Sequence, residues 1–178
     1  MAARDDRQGS GDLERRQARR PGQADSDEGQ AGVAADPRGS AVIVYADSSS
    51  LIKLYLSESG SPAVVDLVSR ATAVATSALA YSEVRSTLAR RRRERTMTPA
   101  QFSAAREQFE SDWATLIVLP CDDAMARQAG ALAEKHALRG ADAVHLASFE
   151  RLLASTDHDD VEFSCADERL NQAARKLG

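Results

Sequence analysis

No stretch of this sequence reaches the roughly 20 consecutive apolar residues that span a bilayer. Nor does an apolar segment follow the first residues as in a secretory signal, so the expectation is a soluble, cytoplasmic protein without a membrane role. Cysteine is scarce. Cys121 and Cys165 stand far apart with no metal-type spacing, which argues against a disulfide framework or a zinc site and leaves two reduced thiols, read as small core residues. Aromatic residues make up 4% of the chain, too few for recognition of RNA by base-stacking platforms. Neither a G-x-x-x-x-G-K loop nor a Ser-His-Asp context is present, so nucleotide hydrolysis and serine nucleophile chemistry find no support. An excess of positive charge is missing too: the formal charge is −4 and the pI near 5.4. Any nucleic-acid contact must therefore come from a local basic patch.

What is present is enough for one folded domain. The chain has 178 residues, 43% of them hydrophobic, sufficient for a single sizeable core. Residues 1–40 stand apart, because after Met1 their only large apolar side chains are Leu13 and Val33. Such a segment cannot bury enough surface to offset ordering entropy, and it is expected to be a disordered N-terminal tail without chemistry. From Ala41 onward, short β-branched runs alternate with longer stretches of helical period. That rhythm predicts βα units stacked into a parallel sheet, an α/β/α sandwich over residues 41–178.

The elements follow in order. A strand over Ala41–Tyr45 feeds a helix through Leu51, Leu54 and Tyr55. Ser61 is expected to cap and Pro62 to open a second helix. A short strand near Thr72–Ala75, with a cap at Thr76 or Ser77, precedes a helix through Leu79 and Leu88. Thr98-Pro99-Ala100-Gln101 combines a capping box with proline at the first helical position and launches a helix with Phe102, Ala105, Phe109 and Trp113 inward. TLIVLP reads as a buried strand, and the helix after Asp122 presents Met125, Ala129 and Leu132. Arg139-Gly140 breaks the pattern before a helix from Asp142 to Leu153. A polar loop Ser155–Asp160, a last strand VEFSC and a closing helix complete the chain.

The acids at the strand ends carry the chemistry. In VIVYADSSSLIKLY an acid, Asp47, follows the first strand although any of three serines would cap the next helix. Asp167 occupies the same situation after the last strand. In open parallel sheets ligands bind outside the carboxyl ends of the strands, so side chains from distant βα junctions converge there. Glu83, two turns into its helix, and Asp142, opening another, are placed to reach that edge. Taken singly, Asp47, Asp142 and Asp167 can be N-caps and Glu83 a solvated helix residue. Jointly they conflict, because two carboxylates about 4 Å apart repel by roughly 4 kcal/mol at an effective dielectric near 20. Gathering them at one edge requires a cation or retained protons. An oxygen-only set suits Mg²⁺ or Mn²⁺ rather than zinc, and such a site points to phosphodiester chemistry.

VYADSSSLIKLY, SALAYSEVRSTLAR, LRGADAVHLA and FSCADERL, in this order, resemble the successive motifs of PIN-domain ribonucleases, specifically VapC-type toxins of type II toxin–antitoxin pairs. The likeness runs from about Val42 to the C-terminus. It implies a PIN-like fold and a Mg²⁺- or Mn²⁺-dependent endoribonuclease that leaves a 5′-phosphate and a 3′-hydroxyl. It also implies a cognate antitoxin that covers the site, and a homodimer. The family's four acids fall on Asp47, Glu83, Asp142 and Asp167, as catalytic metal ligands. Its hydroxyl after the first acid falls on Ser48 or Ser49, which otherwise cap the first helix. The 40-residue tail departs from the family, whose members usually begin close to the first strand.

Other features admit two readings. Arg90–Arg93 with Arg95 are either a solvated helix end that complements the dipole or a phosphate contact with RNA. Arg85 and Arg139 lie within or beside the matched motifs. His145, one turn after Asp142, is either a base or a hydrogen-bonded structural histidine, and His136 and His158 show no partner. Two other functions remain open: a PIN-like module that binds RNA or protein without cutting, and a divalent-metal DNA nuclease.

Overall fold

β1 (Ile43–Ala46) lies in the interior of a four-stranded parallel sheet of order β3-β2-β1-β4, with β2 Ala73–Ser77, β3 Ile117–Leu119 and β4 Val161–Ser164. The computed structural model describes residues 42–156 and 160–177. The expected tail and part of the Ser155–Asp160 loop lie outside the described residues. Tyr45 pairs with Ala75 on one side and Phe163 on the other. Seven α-helices are found among the described residues: α1 Ser48–Leu51, α2 Ser61–Arg70, α3 Leu79–Arg93, α4 Pro99–Trp113, α5 Asp123–His136, α6 Gly140–Leu153 and α7 Glu168–Ala174. A single 3₁₀ turn, Ile52–Leu54, continues α1.

The period-2 alternation of β1 divides the core in two. Ile43 and Tyr45 face one layer, built with Met125, Leu132, Leu146 and Leu170 from α5, α6 and α7. Ala46 faces the other, with Leu51, Val84, Leu88 and Phe109 from α1, α3 and α4. This is the expected α/β/α sandwich. Phe109 and Met125 are both 0% exposed, each contributing roughly 1.5–3 kcal/mol on leaving water, whereas Phe102 and Trp113, expected inward beside Phe109, are only partly buried.

Several local expectations are corrected. Gly60, at φ +84°, holds the N-cap position of α2, a left-handed conformation that glycine adopts without strain. Ser61 instead donates its hydroxyl to the Leu56 carbonyl at 2.8 Å and accepts from the Glu58 amide at 3.1 Å. β2 runs on through Thr76 and Ser77, so neither is the cap, although the Ser77 hydroxyl still accepts from the Leu79 amide at 3.3 Å. β3 is an edge strand with Ile117 41% exposed, not a buried one, because β2 covers a single side of it. Cys121 is exposed rather than in the core, whereas Cys165 is partly buried. Thr98 and Gln101 form the reciprocal capping box as expected.

The strand order places the site. From β1 the chain moves to β2 and then β3, and returns across the sheet to place β4 beside β1. The crevice of a parallel sheet opens where the order reverses, between the carboxyl ends of β1 and β4. Asp47 follows the first of these strands, and Asp167 lies just past the second.

Candidate active site

The ends of β1 and β4 are stitched together by short polar bonds. The Asp47 amide donates to the Ser164 carbonyl at 3.1 Å, and the Ser50 and Ser164 hydroxyls meet at 2.9 Å. Ser49 sits at the centre of this junction. Its hydroxyl donates to the Asp47 carboxylate, 2.7 and 2.9 Å from the two oxygens, and accepts from the Ala166 amide at 2.9 Å. The question of why an acid precedes three serines therefore has a geometric answer. Asp47 itself caps α1, with one oxygen accepting from the Ser50 amide at 2.9 Å. The serines do not cap. Asp47 is 5% exposed and is held in orientation by Ser49 and the Ser50 amide.

Glu83 sits in the second turn of α3, and its carboxylate accepts from Nε2 of His145 at 2.9 Å. Burial works against its charge, but hydrogen bonds from His145 and Ser48 and the attraction of His145 outweigh it and hold its pKa below the usual carboxylate range. His145 is 2% exposed and its Nδ1 lies 3.0 Å from the Tyr45 hydroxyl. The structural reading of this histidine holds, and its partner is one of the site acids. Burial, reinforced by the charges of Asp47 and Glu83, pushes the Tyr45 hydroxyl far up, so it keeps its proton.

Asp142 lies in the first turn of α6, which begins at Gly140 with Arg139 in the capping position. It is not the helix cap that sequence alone allowed. Its carboxyl is pushed above the usual range by burial, then by the negative charge of Asp167, with Asp47 adding to it against the opposing pull of Arg139. Asp167 caps α7 by accepting from the Leu170 amide at 3.0 Å. The structure thus brings Asp142 into electrostatic reach of Asp47, Asp167 and His145, and His145 is the hydrogen-bond partner of Glu83. Among the described residues, no ion pair within 4.0 Å includes Asp47, Asp142 or Asp167.

Cys165 was missed by sequence reasoning. Its sulfur lies 3.0 Å from the donating Asp167 amide, and burial together with the nearby Asp47 charge pushes its thiol up to about 12. The thiol is therefore a protonated wall of the site and no nucleophile.

The donor set is hard oxygen from carboxylates and serine hydroxyls, which fits Mg²⁺ or Mn²⁺. Among the described residues no three His, Cys, Asp or Glu side chains are gathered closely enough to hold an ion by themselves. Mg²⁺ does not demand such a cage, since it keeps several waters and binds through one or two carboxylates. Asp142 adds a carboxylate in electrostatic reach of Asp47 and Asp167, with its carboxyl raised first by burial and then by their charges.

A groove of about 490 Å³ runs from Ser48, Ser49 and Ala166 at this edge to Lys53, Arg90 and Arg91. Arg91 is tied to Glu58 at 3.0 Å. Arg85 is spoken for elsewhere, paired with Glu110 and with the Tyr81 hydroxyl.

The sequence profile of the PIN domain family matches residues 44–176. Two relatives from Mycobacterium tuberculosis, ribonuclease VapC45 of strain CDC 1551 / Oshkosh and ribonuclease VapC49 of strain ATCC 25618 / H37Rv, are each 41% identical over 106 residues. The aligned region is 60% of this chain and 74% of either relative. Parallel sheet, switch-point acids and sequence therefore agree, and the chain belongs to the PIN domain family, with its similarity on the VapC-type side.

Proposed function

We propose that the chain is a Mg²⁺- or Mn²⁺-dependent endoribonuclease of the VapC type, in which Asp47, Glu83, Asp142 and Asp167 are the catalytic metal ligands. The observation that carries this reading is the placement of Asp47 and Asp167 just past the carboxyl ends of the adjacent strands β1 and β4, with Asp142 in electrostatic reach of both. The ion, when bound, supplies charge neutralisation and an activated water for attack on a phosphodiester. The chain's own residues do the rest. Ser49 and the Ser50 amide fix the Asp47 oxygens, His145 fixes Glu83, and the groove leading to Lys53 and Arg90 gives a phosphate backbone an electropositive approach beside the acids. RNA as substrate is supported by the two relatives, both named as ribonucleases.

By the same likeness the products are a 5′-phosphate and a 3′-hydroxyl, the working form is a homodimer in the cytoplasm, and the partner is a cognate antitoxin covering the acid edge. Activity is assigned to residues 41–178, with residues 1–40 as a tail outside it. The test is cleavage of a labelled RNA and a matched single-stranded DNA by the wild type and Asp47→Asn, with Mg²⁺ or with EDTA. RNA cutting that needs both the metal and Asp47 is expected. Equal DNA cutting would make the chain a DNA nuclease; RNA retention without cutting would make it a binding module.

A further inference from the structure

We propose that the buried pair Tyr45–His145 is a positioning device that sets Glu83, and with it the spacing of the site acids, for the divalent ion. The inference rests on the metal reading above. The geometry is a continuous chain: Tyr45 hydroxyl to His145 Nδ1 at 3.0 Å, and His145 Nε2 to Glu83 at 2.9 Å. An ionised carboxylate only accepts, so Nε2 carries the hydrogen that faces Glu83; in the neutral ring, Nδ1 then accepts from the Tyr45 O–H. Both rings lie inside the core, 0% and 2% exposed, where a polar group without a partner is costly. Phenylalanine and leucine would fill such a space without that cost. Here the bonds are complete, and the chain ends on a carboxylate that is 29% exposed, at the rim of the site.

The pair also ties together the three elements that carry three of the acids. Tyr45 is in β1, two residues before Asp47; Glu83 is in α3; His145 is in α6, one turn after Asp142. Neither member can shift without moving a site element. Tyr45 is in turn held by Phe163 of β4, stacked at 5.5 Å between ring centroids and 6° between planes, which extends the brace to the strand that precedes Asp167. Side chains that orient metal ligands from behind commonly change metal affinity 10–100-fold when removed.

The experiment is calorimetric titration of the full chain with Mn²⁺, alongside thermal unfolding without metal, for the wild type, His145→Gln, His145→Asn and Tyr45→Phe. Glutamine places an amide near the Nε2 position and can still donate to Glu83; asparagine reaches only the Nδ1 position and cannot. Expected is a drop of about threefold in Mn²⁺ affinity for H145Q, which keeps the donor to Glu83 but loses the bond to Tyr45, and a drop of about 10–100-fold for H145N. Y45F keeps the ring and its stacking, and a drop of about threefold or more is expected. If H145Q or H145N fails to fold, Y45F decides. Wild-type Mn²⁺ affinity in a folded H145N, or in Y45F when the histidine variants do not fold, would overturn the inference while leaving the metal reading intact. A wild-type chain that binds no Mn²⁺ would overturn both.

Discussion

Glu83 on α3 and Asp142 on α6 are perturbed in opposite directions. Glu83 has its charge answered in advance: His145 and Ser48 bond to it and hold its carboxyl below the usual range. Asp142 has the pull of Arg139 and, more weakly, of His145, but burial and two negative neighbours outweigh them and its carboxyl rises. One half of the site is thus braced by hydrogen bonds, and in the other burial and like charge outweigh the opposing pulls. A preorganised carboxylate costs little reorganisation when an ion arrives, while repelling carboxylates gain the most from its charge. The pairing of both within one rim is what a site for a hard, partly hydrated cation requires.

Removing Asp47 should have the largest effect, since it is the buried acid at the end of β1 whose charge reaches Asp142. Asp47→Asn keeps a good helix cap and should leave the fold within about 1 kcal/mol, while the loss of several kcal/mol of metal-derived transition-state stabilisation cuts RNA cleavage by about 10³-fold. Cleavage above a tenth of wild type would break the account of this residue. The contrast between Glu83 and Asp142 is sharpened by urea unfolding in EDTA. Asp142→Asn should make the metal-free protein more stable at pH 7, because an acid whose folded pKa is raised destabilises the fold once it must ionise. That gain should fade as pH falls toward 3.8, the ordinary value for this group. Glu83→Gln should do the reverse. The Glu83 contribution is fully present above its ordinary value of 4.5 and is lost as pH falls through the lower folded pKa, so the variant loses about 1–2 kcal/mol at pH 7 and little in strong acid. Both variants should cut poorly; shifts of the same sign at pH 7 would dissolve the comparison.

Smaller effects are expected along the groove. Lys53→Ala and Arg90→Ala should weaken binding of a single-stranded RNA and lower the salt dependence of log K by about 0.7 each, with unfolding unchanged; an unaltered salt slope would remove the groove from the RNA path. Smallest of all, deletion of residues 1–40 should leave the cleavage rate within about twofold, measured on the same RNA.

How much of this was legible beforehand depends on the range of the interaction. Local chemistry read well: the Thr98–Gln101 capping box, and the inward Met125, Ala129 and Leu132 of α5, follow from short spacings. The fold class also followed, because the alternation of β-branched runs with helical period persists along the chain. Strand order did not, and so Ile117 was expected inside although β3 lies at the edge. The cap of α2 was misplaced by one residue because a left-handed glycine serves there and Ser61 bonds backward instead. At the site, the acids stood out by their positions after strands. Their bracing did not: Tyr45 and His145 are 100 residues apart, and no local pattern marks a tertiary hydrogen bond. Between the two readings of Ser49, cap or site hydroxyl, no local pattern decides, because its tie to Ala166 crosses 117 residues.

The central claim is that Asp47, Glu83, Asp142 and Asp167 share one divalent ion, and anomalous diffraction from a crystal soaked in Mn²⁺ tests it most directly. The account predicts one strong peak at the β1/β4 edge with carboxylate oxygens of Asp47 and Asp142 in its coordination shell, at roughly the 2.0–2.2 Å typical of small hard cations. A well-ordered edge with no peak, or a peak bound elsewhere with these four carboxylates untouched, would contradict it.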